Sequence, residues 1–165
     1  MRKVSQKASV FILSCIVATS GSAKAAAVIS YDSAVQVNVR MSSGYTVGNR
    51  FQVGASSIQI NSLGAQFLDS TPAIDVGLWS DSGSLIASKN ITISDFLENG
   101  YRYADLNTTI TLAPSTNYYL GAYLPNNSTF IDSQDPNQYN TQPFSGVGVT
   151  LNRDVYAGGG QSVIP

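Results

Sequence analysis

The ionisable chemistry of this 165-residue chain rests on carboxylates, because the sequence holds ten acids, no histidine and a single cysteine. That cysteine, Cys15, lies in an apolar run near the N terminus, and beyond residue 27 there is one lysine, Lys89, and one glutamate, Glu98. A serine or cysteine nucleophile activated by imidazole therefore has no base, and the thiolate and imidazole ligands that zinc prefers are missing. A serine–lysine pair would have to use Lys89, and the residue three positions before it is Ile86, not serine. The chain has no Gly-x-Ser-x-Gly elbow and no phosphate-cradling glycine loop. Two carboxylates flanking a glycosidic bond remain conceivable, drawn from Asp69, Asp75, Asp81, Asp95, Asp105, Asp132, Asp135 and Asp154. Most of these fall at expected turns, where aspartate is favoured for its hydrogen bonds to nearby backbone. The expectation is a protein that is not an enzyme, with an Asp-dependent glycoside hydrolase as the catalytic alternative.

Two binding chemistries deserve weighing against plainer readings. Asp132, Asp135 and Asn137 lie within one polar stretch and offer the hard oxygen ligands that calcium takes, although their spacing is not that of an EF-hand. A solvated loop explains them as well, so calcium is an optional cofactor in this reading and no other is implied. The aromatic residues Trp79, Tyr101, Tyr103, Tyr119 and Tyr123 are the candidate ligand-binding set. Tyr101 and Tyr103 share one strand face, and Tyr119 and Tyr123 share another with Tyr118 opposite. An exposed row of such rings could stack on sugars. The alternative is that they line the interior and keep their hydroxyls at its rim.

The elements that must position these residues begin after a leader. Arg2, Lys3 and Lys7 precede an apolar run at residues 8–18, and small residues follow up to Ala27. This is the three-part pattern of a secretory signal peptide, and its apolar stretch is shorter than the ~20 residues a membrane span needs. The expected leader is residues 1–25, cut after Ala25 or Ala27 and exported by the Sec route; an uncleaved anchor and lipidation at Cys15 are the alternatives. Its removal leaves five cations (Arg40, Arg50, Lys89, Arg102, Arg153) against all ten acids. A sparse, acidic surface is the wrong footprint for nucleic acid or anionic lipid.

From there the chain reads as short strands. Val35, Val37 and Val39 alternate with polar residues, as do Ile58 and Ile60, and Ile74, Val76 and Leu78. The phase slips between Ile60 and Leu63, and the expected place for a β-bulge is Ser62 to Gly64. Ser80-Asp81-Ser82-Gly83 reads as a hairpin loop. Tyr101–Tyr103 and Ile110–Leu112 are expected as separate strands, 118–124 as another, and Val147 to Leu151 as the last. Ser94 to Glu98 is expected to form one helical turn capped by Ser94, and 126–143 a long surface loop. The fold class is all-β: a single jelly-roll-like β-sandwich of about eight to ten short antiparallel strands over residues 28–156, with a Gly-rich tail at 157–165.

The order of Val76-Gly77-Leu78-Trp79, Ser82-Gly83-Ser84-Leu85, Gly100-Tyr101-Arg102-Tyr103 and Thr116-Asn117-Tyr118-Tyr119-Leu120-Gly121 resembles a bacterial extracellular β-sandwich domain of unknown function. It also resembles the body of exported proteins that carry the PEP-CTERM sorting signal, which are associated with exopolysaccharide. The resemblance covers roughly half of the chain and implies no catalytic residues. Ser162-Val163-Ile164-Pro165 looks like the beginning of such a sorting motif without its apolar span and basic end. The resulting expectation is a secreted or cell-surface protein with a binding or structural role, its partner extracellular polysaccharide or the cell envelope. The alternative is a calcium-dependent, lectin-like carbohydrate-binding module.

Overall fold

Alternating apolar side chains bury one face of a strand and leave the other free, so a chain built from many such segments must close two sheets over a shared interior. The computed structural model describes residues 13–17, 26–31, 38–42, 45–65, 73–98, 101–124, 128–132, 144–146 and 148–158, and every regular element among them is a β-strand. In chain order these are β1 (Leu13–Val17), β2 (Ala26–Ala27), β3 (Ile29–Tyr31), β4 (Asn38–Ser42), β5 (Tyr45–Val53), β6 (Ile58–Ala65) and β7 (Ala73–Ser80). Then follow β8 (Leu85–Thr92), β9 (Phe96–Glu98), β10 (Tyr101–Leu112), β11 (Asn117–Leu124), β12 (Ser128–Asp132), β13 (Phe144–Gly146) and β14 (Val149–Gly158).

Ten of these strands make the two sheets, and the eight that follow residue 27, β5 to β11 and β14, are at the lower end of the number expected there. One sheet has the order β2-β1-β6-β10-β9 and the other β14-β5-β11-β7-β8, while β12 pairs with β4 and β13 with β3. Every pairing is antiparallel. Neighbours that are distant in sequence, such as β5 beside both β11 and β14, require the chain to cross between sheets, as sandwiches with Greek-key connections do.

The interior is formed by Phe51 and Val53 from β5, Ile74, Val76 and Leu78 from β7, Tyr118, Leu120 and Ala122 from β11, and Ile58, Ile60, Leu63, Ala65 and Leu112 from the facing sheet. Full burial of a side chain of this size stabilises by about 1.5–3 kcal/mol. With no thiol beyond residue 27, this packing carries the stability. Tyr118 joins the interior to its rim. Its ring stacks on Phe51 with centroids 5.9 Å apart, and its hydroxyl accepts a hydrogen bond from the backbone N–H of Ala113, five residues upstream, at 2.9 Å. This is the arrangement of a tyrosine corner. Alongside it, the N–H of Val53 donates to Thr116 O, that of Ser115 to Gly54 O and that of Gly54 to Gly148 O, tying three connections together.

Several expectations need correction. Ser94 does not cap a helix. The N–H of Asp95 donates to Thr92 O, and one carboxylate oxygen of Asp95 accepts from both the N–H and the hydroxyl of Thr92 at 2.6 and 2.9 Å. That closed turn sends the chain straight into β9. The segments Tyr101–Tyr103 and Ile110–Leu112 are one strand, β10, because the four residues 106–109 bulge out between Asp105 opposite Ser62 and Ile110 opposite Ile60. The phase slip in β6 occurs at Asn61, which both neighbouring strands skip, rather than at Ser62 to Gly64. The polar stretch expected as one loop contains β12, and β14 runs to Gly158, past the expected domain limit at residue 156. The hairpin at Ser80 to Gly83 is present, closed by Gly83 N–H to Ser80 O at 2.9 Å with Gly83 at φ +95°.

The expected leader contributes β1 to the first sheet, and β2 lies between the two expected cleavage points. A five-residue run rich in Leu, Ile and Val meets the demands of a strand as readily as those of a signal core.

If the corner hydrogen bond contributes as its geometry implies, Tyr118→Phe lowers stability by about 1–2 kcal/mol. Urea unfolding should show the midpoint falling with an unchanged slope.

Candidate functional site

The aromatic residues singled out by sequence lie in three different environments. Trp79 is 2% exposed, Tyr101 5% and Tyr103 6%. None of these three forms an open stacking platform. Trp79 alternates with Leu78, so it points away from the main interior and lies along its own sheet over Gly77, where a Cβ would collide with the indole ring. Its N–H has no hydrogen-bond acceptor among the described residues. Tyr103 does the same in the other sheet, its ring lying over Gly64 directly across the strand pair, with Tyr101 beside it at 6.3 Å between centroids. In both sheets glycine leaves the surface that a ring then covers.

Tyr119 and Tyr123 are half-buried and lie on the face of β11 opposite Tyr118, as the alternation requires. The guanidinium of Arg50 sits 5.8 Å from the Tyr119 ring centroid. Arg50 also donates from Nε to Asp81 Oδ1 at 2.9 Å, with Nη2 at 2.8 Å from the same oxygen. The Asp81 hydrogen bond, opposed by desolvation, raises the Arg50 pKa above its ordinary value. Tyr119 thus already carries a cation on its ring. Of the calcium candidates, Asp132 ends β12, while Asp135 and Asn137 lie outside the described residues. Among the described residues no group of three acids is placed to hold a metal.

A different set of residues comes together. An open groove of about 690 Å³ lies where the edge of the second sheet meets the first, lined by Asn61 and Ser62 of β6, Lys89 and Asn90 of β8, and Tyr103, Ala104 and Asp105 of β10. Ser94, Asp95, Phe96 and Glu98, from the turn and short strand between β8 and β10, complete it. Both the lone lysine and the lone glutamate beyond residue 27 are here.

Local irregularities build this groove. The bulge at Asn61 brings that side chain into the lining, and its amide oxygen is buried without a hydrogen-bond partner among the described residues. The bulge at 106–109 carries Asn107, whose side-chain oxygen accepts from Lys89 Nζ at 3.1 Å and so links the two sheets beside the groove. Asn90 donates to Asp75 Oδ1 at 2.7 Å. Asp95 is held by Thr92, and its backbone oxygen accepts from Arg102 Nη1 at 3.2 Å. Phe96 is 61% exposed, and Ile93 and Leu97 beside it are also exposed.

The arrangement offers amide and carboxylate groups, one ammonium and an exposed aromatic ring along an open channel. Such groups can accept and donate hydrogen bonds to hydroxyls while the ring covers an apolar surface. The sequence pattern does not disclose it, because Ser94 to Glu98 carries the signals of a helical turn and Asn61 becomes a lining residue only through the bulge. The pairing of exposed Phe96 and Leu97 with Asp95 and Glu98 was the available signal.

The fold defines an all-antiparallel β-sandwich with a polar groove at one edge. The chain belongs to a family described as a domain of unknown function, DUF4082, whose match covers residues 32–165. Neither a curated protein nor a solved structure matches it.

Because Trp79 is the only tryptophan, its fluorescence reports on the surroundings of this one indole, Gly77 among them. Gly77→Ala is expected to destabilise by about 1–3 kcal/mol through overpacking. Emission should also move to longer wavelength as the indole is displaced toward water.

Proposed function

We propose that this chain is an exported, non-catalytic domain of the cell surface or extracellular matrix that binds polysaccharide in the groove between β6, β8 and β10. The observation that carries the reading is the convergence of Asn61, Asn90, Glu98 and Asp105 beside the exposed ring of Phe96. Planar polar groups next to an open aromatic face suit a sugar, which presents hydroxyls at its rim and C–H groups on its faces. Three carboxylates against one ammonium in the lining favour a neutral or amino-sugar polymer over an acidic one. Export is supported by the leader pattern at residues 1–25, and the resemblance to PEP-CTERM proteins supports a surface destination.

The Asp-dependent hydrolase alternative finds two of its candidates in this lining, Asp95 and Asp105, and Asp95 is engaged in its turn. The calcium-dependent lectin alternative has its ligands at Asp132, Asp135 and Asn137, of which Asp132 alone is among the described residues.

Affinity electrophoresis and calorimetry against neutral, amino-sugar and uronic polysaccharides test the proposal. Binding to the first two classes is expected, independent of calcium, with Phe96→Ala weakening it about tenfold, an effect of about 1.4 kcal/mol. Equal binding by Phe96→Ala would remove the groove from consideration. Turnover of the polymer that disappears in Asp105→Asn would make the protein an enzyme.

A further inference from the structure

The first sheet contains a strand that the expected processing removes. β1 pairs antiparallel along β6 from Leu13 opposite Ala65 to Val17 opposite Ile60. That strand lies inside the expected leader, and the family match begins only at residue 32. Cleavage after Ala25 or Ala27 therefore leaves β6, among the described residues, as the edge of its sheet instead of a strand with a neighbour on each side.

β6 is not composed like an edge. Its sequence, Ile-Gln-Ile-Asn-Ser-Leu-Gly-Ala, has no charge and no proline. Edge strands in water are commonly blunted by charge, proline or brevity. The other edges follow that rule: β8 carries Lys89, β9 has three residues and includes Glu98, and β14 carries Arg153 and Asp154. With β1 in place Ser62, Leu63, Gly64 and Ala65 are all buried, as in an inner strand. Backbone N–H and C=O groups exposed along such a strand call for a partner.

We propose that, once the leader is cut, β6 pairs edge to edge with β6 of a second copy of the processed chain. The present occupant shows what the edge takes: a short, uncharged, largely apolar strand running antiparallel. β6 meets each requirement itself. Two copies of one strand related by a twofold axis are necessarily antiparallel, so the same strand serves on both sides. The pairing joins β6-β10-β9 of each copy into one continuous sheet of six strands.

The test uses the chain recovered after export, with cleavage established by intact mass. Analytical ultracentrifugation is expected to give twice the mass of the processed chain, and hydrogen exchange is expected to be slow across residues 60–65. A synthetic peptide with the sequence of Leu13–Val17, added in excess, should halve the mass by taking back the edge. The unprocessed chain should be a monomer. A processed chain that is monomeric at every concentration would overturn the proposal, as would a dimer indifferent to the peptide, an exported chain that keeps its leader, or an edge filled by a different polypeptide. The polysaccharide reading stands or falls separately, since a monomer can still bind through Phe96.

Discussion

The interior contact between two sheets is the interaction on which everything else in this protein rests. A domain with no cysteine beyond residue 27 has no covalent staple, and its sparse charges supply few ion pairs. Stability must therefore come from removing apolar surface from water. Period-two alternation achieves this along β5, β7 and β11, whose Phe51, Val53, Val76, Leu78, Leu120 and Ala122 face Ile60, Leu63 and Leu112. Tyr118 belongs to that interior by its ring and to the rim by its hydroxyl, so the packing and the connection at 113–117 are held together. The groove inherits its shape from the same contact, since it lies where the edges of the two sheets come together.

Departures from regular pairing shape the surface. The single extra residue at Asn61 and the four at 106–109 lie at neighbouring positions of one strand pair. The first brings an amide into the groove lining, and the second carries Asn107 to Lys89 of the facing sheet. Bulges re-aim side chains and end regular pairing where a site is needed. Aromatic rings take the opposite part. Trp79 over Gly77 and Tyr103 over Gly64 shield backbone where no side chain exists, which leaves the exposed ring of Phe96 as the aromatic surface at the groove.

The N-terminal apolar run shows how one sequence can satisfy two demands. A signal core needs hydrophobicity without charge, and a buried strand needs the same with β-branched residues. Leu13-Ser14-Cys15-Ile16-Val17 meets both, and so finds a place beside β6. The pairing is antiparallel and shifts register opposite the Asn61 bulge, as β10 does on the other side. The skipped Asn61 is thus a property of β6 itself, and β10 adds to it a bulge of its own at 106–109.

Composition and alternation were enough to determine an all-β sandwich, the hairpin at Ser80 to Gly83, the opposite faces of Tyr118 and Tyr119, and the poverty of catalytic groups, because each follows from residue type and local period. The helical turn expected at Ser94 was misjudged because its short-range pattern competes with the Asp95–Thr92 hydrogen bonds that close a tighter turn. The tertiary structure alone decided which aromatic rings are covered, where β6 bulges and which polar residues meet at the groove. Those outcomes depend on strand register between segments dozens of residues apart, and alternation within one segment carries no information about the register of its partner.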